Sequence, residues 1–227
     1  MLYSVKTYKQ GDINMFKKVL LAALIVTSAA FADFFSVGAR AAANFGTAWG
    51  DDADDTEWGV GFNAGVALKI DILPVITIIP GLEVDYRRIG GEQDYSDGFS
   101  VYSSDNTLGM WYLDVPVLAR VKLIPLVYLN AGVQFSFNLS DNLNYDETET
   151  TIATGEKEKD SGDMSYSKFI NTMDVGLIVG AGVSLMDKLD VDFRLVLGLN
   201  SFMDETEEGY KVSMKHMRMQ AGVIYWF

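Results

Sequence analysis

Over long stretches of this 227-residue chain, apolar side chains recur at every second position, and that period limits what it can fold into. In "LDVDFRLVLGLNSF", Leu189, Val191, Phe193, Leu195, Leu197 and Leu199 share one face; Asp190, Asp192, Arg194, Gly198 and Asn200 share the other. In "YLNAGVQFSFNL", Leu129, Ala131, Val133, Phe135 and Phe137 alternate with Tyr128, Asn130, Gly132, Gln134 and Ser136. "MDVGLIVGAGVSL" sets Val175, Leu177, Val179, Ala181 and Val183 against Asp174, Gly176, Gly180 and Gly182. A helix repeats every 3.6 residues and smears such a stripe around its axis, whereas a strand keeps it on one side. The period is that of β-structure.

Applied along the chain, the rule predicts eight strands, at 34–46, 58–70, 75–88, 108–122, 127–139, 172–186, 189–202 and 213–227. Residues 71–74, 123–126 and 187–188 are tight turns, while 47–57, 89–107, 140–171 and 203–212 are long connections. Short turns at one end and long loops at the other describe a meander of hairpins, the asymmetry of outer-membrane barrels. A soluble barrel of the lipocalin type also alternates, with its apolar face inward. Three features favour the membrane form. Most of the strands are long enough to cross a bilayer at a tilt. The polar face is built from small residues and charges of both signs (Gly38, Gly61, Gly65, Gly132, Gly180, Gly182, Gly198, Gly222), which suits a cramped lumen better than a solvated surface. Aromatics gather at strand ends, with Trp49, Trp58, Trp111 and Phe202 at the loop side. Phe34, Phe35, Tyr128, Tyr225, Trp226 and Phe227 gather at the turn side, giving two girdles. The expected fold is all-β: an eight-stranded antiparallel up-and-down transmembrane β-barrel, integral to a bacterial outer membrane.

Near the start, "MFKKVLLAALIVTSAAFAD" has the parts of an export signal. Lys17 and Lys18 form a basic segment, Val19 to Val26 an apolar run, and Ala30 and Ala32 a small-x-small cleavage site. The apolar run is too short for a membrane anchor. Residues 15–32 are therefore read as a signal peptide starting at Met15, residues 1–14 as an upstream extension, and 33–227 as one barrel domain. The absence of cysteine removes disulfides and thiolate chemistry.

The chain stops on "QAGVIYWF", in mid-alternation. A soluble domain usually ends in a frayed polar tail. Here the last strand is expected to pair with the first and leave no free edge. Polar Gln220 and Gly222, then hydrophobic Tyr225 and Phe227, resemble the C-terminal signal read by the barrel assembly machinery. The fourth predicted strand, "YLDVPVLARVKL", resembles the hallmark segment of the PorT-like outer-membrane β-barrel family, with Tyr112, Leu113, Asp114, Val115, Pro116 and Arg120 at the matching positions. "GFNAGVALKI" and "DVGLIVGAGVSL" are similar to that family's second and sixth strands. The resemblance implies a fold and a location; some members are linked to secretion or gliding machinery, and nothing in this sequence selects that subset. Pro80 and Pro116 lie inside predicted strands, so a bulge or kink is expected at each.

The alternation also assigns the lumen. Arg40, Lys69, Arg87, Arg120, Lys122, Arg194 and Arg218 face inward with Glu83, Asp85, Asp114, Asp174, Asp190 and Asp192. So close a balance points to a salt-bridged plug in an interior just filled by side chains, rather than to an ion or proton pathway. The only histidine, His216, faces inward near the loop end, and no motif ties it to Ser201 or Asp204 as a catalytic set. No phosphate loop, metal-ligand cluster or nucleotide fingerprint occurs, so no cofactor and no enzymatic activity are expected. A formal charge of −13 argues against nucleic acid as a partner. Of the 31 acidic residues, 21 lie in the four long connections, beside only four of the 18 basic ones. The run Asp51, Asp52, Asp54, Asp55 is a weak candidate for divalent cations, lacking the glycine of a calcium loop. The expected role is structural or surface-interacting through acidic external loops. Lipid, lipopolysaccharide and an envelope protein are the candidate partners; a narrow pore or secretion-complex subunit is the alternative, and a rim-sited enzyme comes last.

Overall fold

Among the described residues the chain forms nine antiparallel strands: β1 (Phe35–Trp49), β2 (Thr56–Leu73), β3 (Ile76–Ser96), β4 (Ser100–Ile124), β5 (Val127–Thr151), β6 (Lys157–Met164), β7 (Met173–Met186), β8 (Leu189–Gly198) and β9 (Lys215–Trp226). They belong to a computed structural model that describes residues 35–53, 56–155, 157–164, 170–186, 188–203 and 212–227. The upstream extension, the signal peptide 15–32, Phe34, Asp54, Asp55 and Asp204 lie outside the described residues. Each of the strands β1 to β5 pairs with the next, β5 then pairs with β7, and β7, β8 and β9 follow in order. β9 returns to β1 in a continuous register from Gly38↔Trp226 to Trp49↔Lys215. The result is a closed ring of eight strands. The ninth, β6, pairs with the far half of β5, from Leu143 to Thr150, and lies outside the ring.

The two faces of this ring invert the soluble pattern. On β9, His216, Arg218, Gln220, Ile224 and Trp226 are buried, while Met219, Val223 and Tyr225 are exposed. Phe62, Val179 and Phe193 are each about half exposed on the outer wall (52 %, 52 % and 51 %). Arginines and carboxylates inside, with Val, Phe and Leu outside, would be ruinous in water; in a bilayer it is the stable arrangement. Phe62, Tyr86 and Trp111 pack together on the outside toward the loop end, with Tyr86 and Trp111 ring centroids 4.9 Å apart. Tyr225 and Phe227 do so at the turn end, 5.5 Å apart. Three expected girdle residues are instead inside. Tyr128, Trp226 and Phe202 are almost fully buried, the first two because the period of two turns their side chains inward.

Strand lengths depart from the sequence expectation in one region. Residues 89–107 and 140–171 were expected as loops, yet β3, β4 and β5 run on through much of them to Ser96, from Ser100 and to Thr151, and β6 joins them. These polar segments satisfy their backbone by pairing with one another, forming a four-stranded sheet on the loop side of the barrel. β8, by contrast, ends at Gly198 rather than at residue 202.

Neither proline brings a bulge to the β3–β4 pairing. Pairing of β3 with β4 has the same register on both sides of Pro80 and Pro116, and the ladder merely lacks pairs between Pro80↔Val117 and Glu83↔Asp114. A missing N–H removes a bond without demanding an extra residue. A bulge does occur in β2, between Trp58 and Phe62, where Gly59 and Gly61 press against the backbone of β3. A Cβ on Gly61 would fall on the carbonyl oxygen of Tyr86, and one on Gly59 on that of Arg88.

Candidate functional site

Because every second residue points inward, the lumen is a column of side chains, and its charges fall into three clusters. At the turn side, Arg120 Nη1 meets Asp190 Oδ2 at 2.5 Å. Asp190 also accepts from Trp226 Nε1 at 2.9 Å and from Ser184 Oγ at 2.7 Å, and the Arg120 guanidinium lies 3.5 Å over the Tyr128 ring. In the middle, two arginines and two acids close a square. Arg40 reaches Glu83 at 3.0 Å and Asp192 at 3.2 Å, and Arg194 reaches Asp192 at 2.7 Å and Glu83 at 3.5 Å. Asn63 and Gln220 place their oxygens on Arg40. Gly222 leaves the room that the Arg40 guanidinium occupies, since a Cβ there would lie 3.1 Å from Nη2.

The third cluster, toward the loops, holds Arg87 and Arg218 with three acids. Arg87 meets Asp85 at 2.9 Å, Asp114 at 2.7 Å and Asp174 at 3.5 Å. Arg218 pairs with Asp85 and lies 3.6 Å from Asp114. Gln134, Ser136 and Asn44 donate to or bridge the same groups. All of these ionic side chains are almost wholly buried. Burial makes each unpaired charge costly, so several partners around each guanidinium are what the interior requires. Lys69 and Lys122, assigned to the lumen with them, are only half-buried near the turn-side end, Lys69 Nζ lying 5.5 Å over the Trp226 ring.

Apolar layers cap and interrupt this column. Ile79, Leu118, Ile178, Val196, Ile224 and Trp226 form one inside the barrel. At the loop end, Ala48, Ile89, Met110, Tyr112, Ile170 and Phe202 form a second. Phe202 stacks on His216 at 4.1 Å, and Tyr112 Oη lies 3.3 Å from His216 Nε2. Ser201 Oγ donates to the Met214 carbonyl and accepts from the Met203 and Met214 amides, so it serves the backbone of the plug. Nothing in the sequence marked Phe202 as a stopper. The only signal was its place at the inner end of a long connection.

On the loop side, the register of the projecting sheet sets like charges opposite each other. Glu92 pairs with Asp105 and Asp105 with Asp146, making a row of three carboxylates on one face. On the other face Glu147 opposes Asp160 and Glu149 opposes Glu158. Tyr102 Oη donates to Glu149 Oε1 at 3.1 Å, and that bond pushes the phenol pKa up. At the hairpin tip, the backbone amides of Ser100 and Phe99 hold the Asp97 carboxyl below its ordinary range. Asp51 and Asp52 occupy the β1–β2 turn, where Asp52 Oδ2 accepts from the Ser213 amide at 2.8 Å and so ties that turn to the segment just before β9. Among the described residues, no group of three or more His, Asp or Glu side chains is arranged to hold a metal ion.

The proposed assembly residues divide between the two faces. Gln220 and Gly222 face inward against Arg40, while Tyr225 and Phe227 face outward. The Phe227 amide donates to the Val37 carbonyl at 2.9 Å, so the final residue is part of the closing seam.

A closed strand ring with an apolar outer wall and an ion-paired interior is a transmembrane β-barrel. The chain belongs to the family described as "Outer membrane protein beta-barrel domain", which matches residues 29–204. It is an integral protein of the bacterial outer membrane. No curated protein matches the sequence significantly. Among solved structures it is similar to Neisserial surface protein A, at 12% identity and a TM-score of 0.46, covering 84% of this chain and 97% of that one. It is also similar to Ail, the attachment invasion locus protein of Yersinia pestis, at 11% identity and a TM-score of 0.39, covering 85% and 97%. A third is Acinetobacter baumannii CarO, at 16% identity and a TM-score of 0.39, covering 85% and 98%.

Proposed function

We propose that this is a non-enzymatic barrel whose work is done outside the membrane, by the acidic sheet formed from the far halves of β3, β4 and β5 together with β6. One observation carries the reading: strand pairing puts Glu92, Asp105 and Asp146 side by side, and Glu147 and Glu149 opposite Asp160 and Glu158. Like charges directly opposed across strands destabilise a sheet, so stability alone does not favour this arrangement. A dense negative face on a fixed sheet attracts and orients a basic partner. That partner is an envelope protein, or lipopolysaccharide approached through bound cations. The barrel is then a lumen-sealed pedestal. The segment Tyr112 to Arg120 supports placing it with PorT-like barrels within the wider family.

The experiment uses the mature chain in neutral phosphatidylcholine vesicles with fluorescent polylysine. Wild type binds at low salt and releases the peptide as salt rises. A variant with Glu147→Gln, Glu149→Gln, Glu158→Gln and Asp160→Asn loses most of that binding while keeping its heat-modifiable migration. In cells, a photo-crosslinker at Ser104, which pairs with Glu147 on the same face, captures a defined species from wild type and not from the variant. Equal polylysine binding and equal crosslinks would reject the acidic sheet as the working surface.

A further inference from the structure

Closure leaves no strand edge within the ring, since β9 returns to β1. The projecting sheet is different. β6 stands at one end of the strand order, with β5 as its one neighbour among the described residues. In an antiparallel strand, alternate residues turn their N–H and C=O toward one neighbour, and the residues between turn theirs the opposite way. Of the eight residues Lys157–Met164, about half therefore offer both groups to the outer edge. Such an edge is a template for a further strand, and proteins usually blunt it with a proline, a bulge, lysines or a very short strand. β6 contains no proline, and its register with β5 runs unbroken from Thr150↔Lys157 to Leu143↔Met164. Its two lysines guard one face and leave the other to Glu158 and Asp160.

The side chains select what an added strand carries. Pairing puts Glu158 and Asp160 on the face of Glu147, Glu149 and Tyr102, and Lys157 and Lys159 on the opposite face beside Thr150 and Thr148. Lys157 to Ser161 are all exposed. Successive side chains of an incoming strand point to opposite faces. On the acidic face, positive charge relieves the opposition of Glu149 to Glu158 and of Glu147 to Asp160. On the lysine face, positive charge is repelled. An evenly basic chain thus suits one face and offends the other, whereas basic residues alternating with neutral ones suit both. We propose that β6 takes up an extended polypeptide segment as a further strand of the sheet, its alternate arginines or lysines beside Glu158 and Asp160. The inference rests on the acidic sheet as the working surface and narrows its partner to a protein strand, recognised by backbone and by pattern.

The probe is a fluorescent octapeptide with blocked ends that alternates threonine with arginine, titrated onto the mature chain in phosphatidylcholine vesicles. One control has every backbone nitrogen methylated, which keeps the charges and removes the N–H donors in either strand direction. A second has the same composition with its arginines in one block. The probe binds at least about ten-fold more tightly than the methylated peptide, the scale of a few edge hydrogen bonds, and more tightly than the blocked one. At saturation it slows amide hydrogen exchange across Lys157–Met164, and spermine, a polycation without peptide bonds, does not. Equal affinity of the probe and either control, or unchanged exchange at saturation, overturns the proposal. If all three peptides bind wild type equally and the variant with Glu147→Gln, Glu149→Gln, Glu158→Gln and Asp160→Asn binds none, the acidic sheet stands as the working surface and strand addition alone is rejected. If wild type binds no peptide, both readings fall.

Discussion

At the scale of single residues, the central ionic square shows what pairing accomplishes and what the sequence left open. Alternation alone put Arg40, Glu83, Asp192 and Arg194 on the inner face. It gave no partners, because these residues come from three strands that the ring brings together. Arg194 shares Asp192 and Glu83 with Arg40, so neither acid depends on a single cation. Arg194→Met would leave two buried carboxylates on one guanidinium. The expected destabilisation is about 3–5 kcal/mol, read by urea unfolding in lipid vesicles. Removing Asp192 as well, as Arg194→Met with Asp192→Leu, restores one acid to one base and recovers a large part of that loss. A double variant no more stable than the single one would mean that packing, and not charge pairing, governs the site.

At the scale of elements, β2 and the projecting sheet mark the limits of pattern reading. Strand positions around the ring were legible because each buries one face, and a slip of one residue would reverse every side chain. The bulge between Trp58 and Phe62 was not, because it depends on how closely β3 approaches. Gly61→Ala would drive its Cβ into the Tyr86 carbonyl and toward Asn44 Oδ1. The expected cost is about 1–3 kcal/mol, with a lower yield of the heat-modifiable form. Gly98 has nothing within 4 Å of a would-be Cβ, and at φ +88° its alanine variant is burdened only by its left-handed backbone, about 1–2 kcal/mol. Because Gly98 sits in a hairpin tip outside the ring, that variant should insert normally. The extended halves of β3, β4 and β5 escaped notice for a related reason. Both their faces meet water, so hydrophobicity does not alternate along them, and only strand pairing reveals them.

At the scale of the whole molecule, closure explains the terminal aromatic. The β1–β9 seam runs twelve residue pairs and ends with the Phe227 amide on the Val37 carbonyl. Deleting Phe227 removes one exposed side chain and one backbone bond, worth about 1 kcal/mol in the folded barrel. Refolding in vitro should therefore survive the deletion nearly intact. In cells, if the residue is read by the assembly machinery, insertion should fall and the protein should collect in the periplasm. Equal losses in both settings would make Phe227 a stability residue only. The filled lumen leads to a separate expectation. Among the described residues, three ionic clusters and a loop-end layer built on Phe202 are stacked along the interior, so the protein in planar bilayers should give no regular conductance steps. Regular steps in the wild type would revive the pore reading.

What the sequence determined by itself was the period, and from it the strand order, the closed ring and the division between lipid-facing and inward-facing residues. A period of two is a local property that a stretch of about eight residues suffices to display. Tertiary structure decided everything that depends on the distance between strands. It matched each guanidinium to its carboxylates, placed Phe202 over His216, and set the acidic rows of the projecting sheet in register. Those contacts join residues separated by up to 152 positions, as between Arg40 and Asp192, and alternation records a residue's face but never its neighbour across the ring.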